Sequence, residues 1–334
     1  MIKLIAETAW HHEGDYGFMK NLVTSICELS KADIVKLHIT LDLDEYMNKD
    51  HAAYETLKSW VFSPKQWEEL IGIVRNNGKE LMLLLNDTKA IEFAKKFSPE
   101  LIELHSVCLN VPRLQKAVIE NIDVKSKVVI GIGGCTLDEV EAAVNIFHDR
   151  KTVLMFGFQN YPTKYEDVNL GKIKKIQAMY PGHKFGYADH TSWDEDNNQL
   201  ITLLVCANGM HFIEKHVTTE YGIERCDYSA AISIEQLNML YNKIKLLESL
   251  YGDSSMLLNK AEEEYSKYGP MKMAAIAKRH LIKGSELTIN DFHFCRTSQA
   301  TEVSQIDLLE SLGKNLVKDV KINEVINWNH IREK

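Results

Sequence analysis

The chain has 334 residues, and its 39 basic and 47 acidic side chains give a formal net charge of −8. No basic patch stands out, which argues against a nucleic-acid-binding protein but leaves an anionic small substrate open. The longest apolar runs, such as "ELMLLLND", fall far short of the roughly 20 residues that a membrane span requires, and "MIKLIAETAW" lacks the pattern of a secretory signal. The six cysteines form no CxxC pair. We therefore expect a soluble cytoplasmic protein with reduced thiols and no membrane partner.

From residue 2 to about residue 250, short apolar runs alternate with longer amphipathic segments. Eight of these runs predict strands: "KLIAET", "DIVKLHI", "ELMLLL", "LIELHS", "KVVIGIG", "TVLMFGF", "KFGYAD" and "MHFIEKH". The segments between them, such as "YGFMKNLVTSICELSK" and "PKQWEELIGIVRNNGK", have the periodicity of helices. Eight strands alternating with helices favour an α/β fold, a closed (β/α)₈ TIM barrel, over an open doubly wound sheet.

The pattern changes after a long helix predicted at "ISIEQLNMLYNKIKLLESLYG". The polar stretch "NKAEEEYSKYGPMK" is typical of a linker that is partly helical. The short segments after it predict a small, mostly β module, which we expect to pack on the barrel or on a partner chain because so few residues bury little core. We predict a catalytic barrel domain at 1–252, a linker at 253–272 and a small domain at 273–334.

Two histidines stand at the ends of two successive predicted strands. His190 follows "GYAD", and His216 follows "FIEK". Because the chemistry of a barrel lies at the carboxyl ends of its strands, the pair could bind one divalent metal ion, with carboxylates and water completing the shell. The pattern is equally compatible with two histidines that form hydrogen bonds to the backbone.

Two charged residues lie in otherwise apolar strands. Glu7 ends the first strand, where it could be a metal ligand, a general base, an acceptor for a sugar hydroxyl or a structural carboxylate. Lys36, in "ADIVKLHIT", must reach the barrel mouth or pair with a carboxylate, because burying an unpaired lysine is costly. It is a candidate for anion binding or for a Schiff base. We expect His11 and His12, in the loop after Glu7, to be exposed, although one of them could cap the site.

A polar loop follows the sixth predicted strand. "QNYPTKYEDVNL" places Gln159, Asn160 and Tyr161 just past the strand, before a Tyr-Pro turn. Two amides and a phenol suit a polyhydroxylated ligand, and an ordinary proline-containing loop is equally compatible. The glycines of "KVVIGIGGCT" could expose backbone N–H groups to an anion, but they match neither a P-loop nor a Rossmann fingerprint.

Taken together, several segments resemble the sialic acid synthase family, whose members condense phosphoenolpyruvate with an N-acetylated amino sugar. The matching segments are, in order, "IAETAWHHEGD", "ADIVKLH", "NYPTKYEDVNL", "GYADHT", "FIEKHVT" and "DYSAAISIEQL". The later segment "HLIKGSELTINDFHFCR", with the residues up to "VKINEVI", looks like the family's antifreeze-like (SAF) domain. The resemblance therefore covers nearly the whole chain.

The resemblance implies a (β/α)₈ barrel joined to a small SAF domain, in a domain-swapped homodimer. The family's two metal-ligating histidines fall on His190 and His216, which favours the metal site over the structural alternative. A manganese or magnesium ion there would hold the sugar aldehyde and polarise it as a Lewis acid.

The resemblance also implies substrate contacts. The family's N-terminal glutamate, close to the metal and the reacting centre, falls on Glu7, and its lysine that meets phosphoenolpyruvate falls on Lys36. The tyrosine of the Tyr-Pro turn falls on Tyr161, and the acidic residue after the eighth strand falls on Asp227. Arg296 matches an arginine of the SAF domain that reaches the sugar in the partner's active site.

The differences from the family concentrate where its members bind the donor phosphate. Family members carry "K-x-G-S-G-E" at the fourth strand, whereas this chain has "ELHSVC", which keeps only Ser106. Glu103 stands in place of the lysine, and Cys108 stands in place of the glutamate. The other differences are Gly131 for a serine, Gln159 for an asparagine and Ala188 for a serine.

These observations predict a nonulosonic (sialic-acid-like) acid synthase that condenses phosphoenolpyruvate with an N-acetylated amino or deoxy sugar aldehyde. The predicted catalytic residues are Glu7, His190 and His216. The predicted substrate-binding residues are Lys36, Ser106, Gln159, Tyr161, Asp227 and Arg296. The alternatives are a metal-dependent aldolase that uses pyruvate or another donor, and a non-catalytic sugar-binding paralogue.

Overall fold

The computed structural model describes residues 1–157 and 160–332. The chain divides into two compact units, Met1–Tyr251 and Gly252–Lys334. Each unit has its own hydrophobic core among the described residues.

The first unit is built around a closed sheet of eight parallel strands. In chain order they are β1 Lys3–Glu7, β2 Ile34–Ile39, β3 Glu80–Leu85, β4 Leu101–Leu104, β5 Lys127–Gly131, β6 Thr152–Phe156, β7 Lys184–Asp189 and β8 Phe212–Thr218. Each strand pairs with the next, and β1 pairs with β8, which closes the barrel. A short strand, β9 Ala231–Ser233, adds to the end of β8. The prediction of a (β/α)₈ barrel rather than an open sheet is confirmed.

Helices connect the strands and cover the outside of the barrel. The helices of the first unit are α1 Tyr16–Leu29, α2 Leu43–Tyr46, α3 Tyr54–Trp60, α4 Pro64–Asn76, α5 Thr88–Ala94, α6 Pro112–Asn121, α7 Leu137–Ile146, α8 Tyr165–Val168, α9 Leu170–Met179, α10 Asn198–Cys206 and α11 Ile234–Tyr251. Their starts follow from local chemistry; Ser63 and Thr136, for example, form capping boxes with Gln66 and Glu139. Within the described residues, none of the helices combines the length and the apolarity needed to cross a membrane.

Alternation along the strands separates two packed layers. One set of side chains points outward and packs against the helices in the main core. The other set points into the barrel and forms a second cluster, whose members are Ile5, Ile34, Met82, Leu101, Val129, Val153, Met155 and Phe212. This inner cluster fills the amino-terminal part of the barrel interior, so that polar inward-facing residues further along the strands lie above an apolar floor.

The second unit has little regular structure. It contains an antiparallel strand pair, β10 Ala274–Ala277 and β11 Phe292–Cys295, and the short helices α12 Lys260–Tyr265, α13 Gln305–Leu309 and α14 Trp328–Ile331. Isolated bridges, such as Leu281 with Val320, extend the β pairing. Its core is centred on residues such as Phe292, Leu316 and Val320.

Candidate functional site

A cavity of about 200 Å³ opens at the carboxyl ends of the barrel strands. Inward-facing positions two residues apart place Lys36 and His38 of β2, and Glu214 and His216 of β8, in its wall. The further lining residues include Glu7, Trp10, Tyr46, Glu103, His105, Ser106, Gly131, Tyr161, Ala188, His190 and Asp227. Residues far apart in the sequence therefore meet where barrel chemistry is normally located.

Lys36 lies among three carboxylates at the bottom of this cavity. Its Nζ atom is 2.8 Å from Oε2 of Glu7, 2.6 Å from Oε2 of Glu103 and 2.9 Å from Oε1 of Glu214. All four side chains are at most 4 % exposed. The contact with Glu214 is a hydrogen bond, and the contacts with Glu7 and Glu103 are ion pairs. The prediction that Lys36 either reaches the barrel mouth or pairs with a carboxylate is met in both respects.

Burial and mutual repulsion make this cluster electrostatically unusual. Burial raises the pKa of Glu214 to about 8, although Lys36 opposes the shift. Burial likewise raises the pKa of Glu7, again against the attraction of Lys36. Burial on its own would lower the pKa of Lys36, but the carboxylates, Glu103 foremost, hold it well above its ordinary value. Lys36 is therefore charged, and Glu214 takes up a proton near neutral pH.

The two predicted metal-binding histidines come together on the β7–β8 side of the cavity. The ring centroids of His190 and His216 are 4.8 Å apart, and Tyr161 lies 4.6 Å from His190 and 5.7 Å from His216. Glu7 lies beside His216, because the two are register partners in adjacent strands β1 and β8. The arrangement groups two imidazoles, a phenol and a carboxylate around one space.

The histidine pair fits an open metal site better than a closed one. Burial lowers the pKa of His216 far below its ordinary value, so its ring is neutral and has a lone pair available. Its buried Nδ1 atom has no hydrogen-bond partner among the described residues. Within residues 1–157 and 160–332, no group of three or more His, Cys, Asp and Glu side chains is arranged to hold a metal ion. A metal here would thus have two protein imidazoles and would take its remaining ligands from substrate or water.

Of the other predicted site residues, some line the cavity and one lies in the second unit. Ser106 and Asp227 line the cavity, and burial raises the pKa of Asp227. Gln159 lies outside the described residues. Arg296 is an exposed residue of the second unit, where its guanidinium donates to the carbonyl oxygen of Pro270 at 2.7 Å.

The structure overturns the expectation that His11 and His12 are exposed. They are buried, at 1 % and 0 % exposure, because the loop after β1 packs against Cys226 and Phe62. The Nδ1 atom of His11 lies 2.6 Å from the Cys226 carbonyl oxygen, and the His12 ring packs 4.4 Å from the ring of Phe62. Asp189, at the end of β7, faces away from the cavity and pairs with Lys215.

The lining residues that were not predicted as site residues include Glu214, His38 and His105. The signal for Glu214 and His38 was present, because each lies two positions from a predicted site residue on the same strand and must share its face. His105 lies in a loop with no such constraint, and its Nδ1 atom accepts a hydrogen bond from the Val107 N–H.

Comparison with known proteins agrees with this architecture. The sequence model of the NeuB family matches residues 28–256, more than half of the chain. The chain belongs to the NeuB family. The resemblance to the sialic acid synthases is thereby confirmed, and the histidine pair lies within the matched region of this NeuB protein.

Several relatives match the NeuB chain over nearly its full length. The N,N'-diacetyllegionaminic acid synthase of Legionella pneumophila is 26% identical over 98% of this chain and 94% of its own. The human N-acetylneuraminate-9-phosphate synthase is 23% identical over 97% of this chain and 90% of its own. Among solved structures, the N-acetylneuraminic acid (sialic acid) synthetase of Leptospira borgpetersenii superposes with a TM-score of 0.70 at 21% identity, over 79% of this chain and 89% of that one.

Proposed function

We propose that this NeuB protein is a nonulosonic acid synthase, which joins a three-carbon donor to an N-acetylated amino or deoxy sugar aldehyde. The observation that carries the proposal is the His190–His216 pair beside Glu7 at the mouth of a barrel of this family. Relatives named as legionaminic acid and N-acetylneuraminate-9-phosphate synthases support the reaction class.

In this proposal His190 and His216 hold a divalent ion, Mn²⁺ or Mg²⁺. When bound, the ion supplies Lewis acidity to the aldehyde oxygen. Two contacts orient the carboxylate of Glu7 toward the reacting centre. Its Oε1 accepts a hydrogen bond from the Ala9 N–H at 2.9 Å, and its Oε2 contacts Lys36. Its raised pKa suits a group that gives and takes a proton.

The remaining residues position the sugar and the donor. Tyr161 covers the histidine pair with its ring, and Asp227 offers a carboxyl to a sugar hydroxyl. Ser106 and Gln159 are proposed donor contacts. Lys36 holds the carboxylates around the reacting centre in place. It binds the carboxylate of the donor when that group displaces one of them. Arg296 is proposed to reach the sugar in the partner's site of a domain-swapped homodimer.

The experiment is a reaction of the full chain with Mn²⁺, a donor and N-acetylmannosamine-type sugars. Mass spectrometry detects the condensation product, and a colorimetric assay detects released phosphate. We expect a product that His190→Ala and His216→Ala abolish and that the exposed His148→Ala leaves unchanged. Sugar binding without any product, and without loss of affinity in His190→Ala, would instead indicate a non-catalytic sugar-binding paralogue.

Two versions of the reaction differ in the donor. With phosphoenolpyruvate, the donor that the family resemblance implies, the methylene carbon bonds to the aldehyde carbon, a water adds to the second carbon of the donor, and inorganic phosphate leaves. With pyruvate, the enzyme is a metal-dependent aldolase and nothing leaves. The second version is favoured by one specific observation, the contact of Lys36 with three carboxylates.

A further inference from the structure

The charged residues that line the cavity are mostly acidic. The described lining residues include a single lysine, Lys36, and no arginine, against the four carboxyl groups of Glu7, Glu103, Glu214 and Asp227. His38 and His105 do not compensate, because burial lowers the pKa of each of them. Even without Glu214, the carboxyl groups of Glu7, Glu103 and Asp227 outnumber the one ammonium group, so a phosphate dianion entering this space meets more negative than positive charge.

Lys36 is already engaged by three carboxylates. Its Nζ atom donates a hydrogen bond to Oε1 of Glu214 at 2.9 Å and forms ion pairs with Glu7 at 2.8 Å and with Glu103 at 2.6 Å. A phosphate group could bind the ammonium only by displacing a buried carboxylate. That carboxylate would then be left without its partner in a site of low dielectric, which is unfavourable.

The strand next to Glu103 provides no alternative donor. A Cβ atom at Gly131 would lie 2.9 Å from the Ser106 backbone nitrogen and 3.4 Å from Oε1 of Glu103. The position therefore stays without a side chain while Glu103 extends past it toward Lys36. The neutral donors that remain on this side are the Ser106 hydroxyl and, since its Nδ1 accepts from Val107, the Nε2–H of His105. Neutral donors suit a carboxylate with one charge better than a dianion.

We infer that Glu103 selects against phosphorylated donors and that the three-carbon donor is an unphosphorylated 2-oxo acid of the pyruvate type. The inference rests on the proposed function. A methyl C–H bond of the 2-oxo acid breaks and its proton passes to a carboxylate such as Glu7. The methyl carbon then bonds to the aldehyde carbon, and the aldehyde oxygen takes up a proton to become a hydroxyl. No oxidant is used and no group leaves.

Calorimetric titration of the manganese-loaded full chain with pyruvate and, separately, with phosphoenolpyruvate tests the inference. We expect phosphoenolpyruvate to bind at least about tenfold more weakly than pyruvate, because of like-charge repulsion. Glu103→Gln keeps the size of the side chain and removes its charge. It should therefore reduce the ratio of the phosphoenolpyruvate and pyruvate dissociation constants by about tenfold, chiefly by tightening phosphoenolpyruvate binding. The exposed Glu92→Gln should leave both affinities unchanged.

Tighter binding of phosphoenolpyruvate by the unaltered chain overturns the inference, and so does binding of neither ligand. An unchanged affinity ratio in folded Glu103→Gln also overturns it. If that variant does not fold, the ratio measured on the unaltered chain decides. Phosphate release with a sugar present would overturn the inference and uphold the proposed function, whereas a lack of product with either donor would overturn the proposed function.

Discussion

Lys36 is a buried lysine whose positive charge is stabilised by the neighbouring carboxylates. The carboxylates of Glu7, Glu103 and Glu214 all approach its Nζ within 2.9 Å. Lys36→Met leaves three buried carboxyl groups without a counter-charge, and removing one partner of a buried ion pair costs about 3–5 kcal/mol. We expect that loss in urea denaturation at neutral pH. The exposed Lys125→Met is the control and should change stability by less than about 0.5 kcal/mol. An equal effect of the two variants would contradict the electrostatic role of Lys36.

His12 makes the barrel sensitive to acid. Burial lowers its pKa from 6.5 to about 4. The pKa of His12 is lower in the folded chain than in the unfolded chain. The contribution of the neutral ring to the free energy of unfolding is therefore complete above pH 6.5 and is lost as the pH falls toward 4. The shift corresponds to about 3 kcal/mol. His12→Asn keeps an acceptor for the Gly14 N–H and does not titrate, so its stability should fall less steeply over this range.

Urea denaturation at several pH values between 4 and 7 measures that slope. His148→Asn, at an exposed position, should retain the full acid dependence of the unaltered chain. A slope unchanged in His12→Asn would show that other buried groups account for the acid sensitivity.

At the residue scale, prediction from the sequence succeeded where strand position determined the environment. His190 and His216 were recognised as a pair because each follows an apolar run, and they do lie together. The same reasoning did not extend to His11 and His12. Their burial depends on contacts with residues distant in sequence, Cys226 for His11 and Phe62 for His12. A local pattern contains no information about such contacts.

At the scale of elements, the ends of β7 and β8 are joined by a fully buried ion pair. Oδ2 of Asp189 lies 3.1 Å from Nζ of Lys215, and both side chains are 0 % exposed. Asp189 also accepts hydrogen bonds from Thr191, and from Thr202 of α10. Burial opposes its ionisation, but Lys215 and these hydrogen bonds lower its pKa below the ordinary value. The pair flanks His190 and His216, so it helps to fix their separation.

Asp189→Asn should therefore destabilise the chain by about 3–5 kcal/mol, because it leaves Lys215 buried without a counter-charge. The double variant Asp189→Leu with Lys215→Met should recover much of that loss. Chemical denaturation measures both, and the exposed Asp196→Asn serves as the control. A double variant less stable than Asp189→Asn would argue that hydrogen bonds from the threonines, rather than charge, dominate here.

All eight barrel strands were predicted from apolar runs, since a strand buried on both faces is apolar along its whole length. Predicting which side chains of a strand point into the barrel requires a further argument. Once Glu7 and His216 are taken to point inward, the period of two assigns Glu214 to the cavity. The contacts of Glu103, by contrast, depend on the close approach of Gly131 and Ser106. That approach is a property of the assembled barrel and has no local signature.

At the scale of the whole molecule, the two units have separate cores. Among the residues that the structure describes, the buried members of the barrel clusters lie between Ile2 and Ile244, and those of the second unit's cores lie between Ala274 and Ile331. In the sequence, helix–strand alternation ends near residue 252, and the two compact units are Met1–Tyr251 and Gly252–Lys334. The small size of the later segments predicts a separate module but not its short helices, whose length lies below what periodicity can detect.

Separate cores predict separable unfolding. A fragment comprising Met1–Tyr251 retains every member of the barrel clusters, so it should keep its helical circular dichroism and unfold in one cooperative transition. Calorimetry of the full chain should show an additional transition, because the second unit has fewer residues over which to bury apolar surface and is held by its own smaller core. Substitution of Phe292 by Ala, a loss of about 3–5 kcal/mol in that core, should move only the additional transition. If the fragment failed to unfold cooperatively, or if Phe292→Ala moved both transitions together, the two units would have to be one cooperative structure.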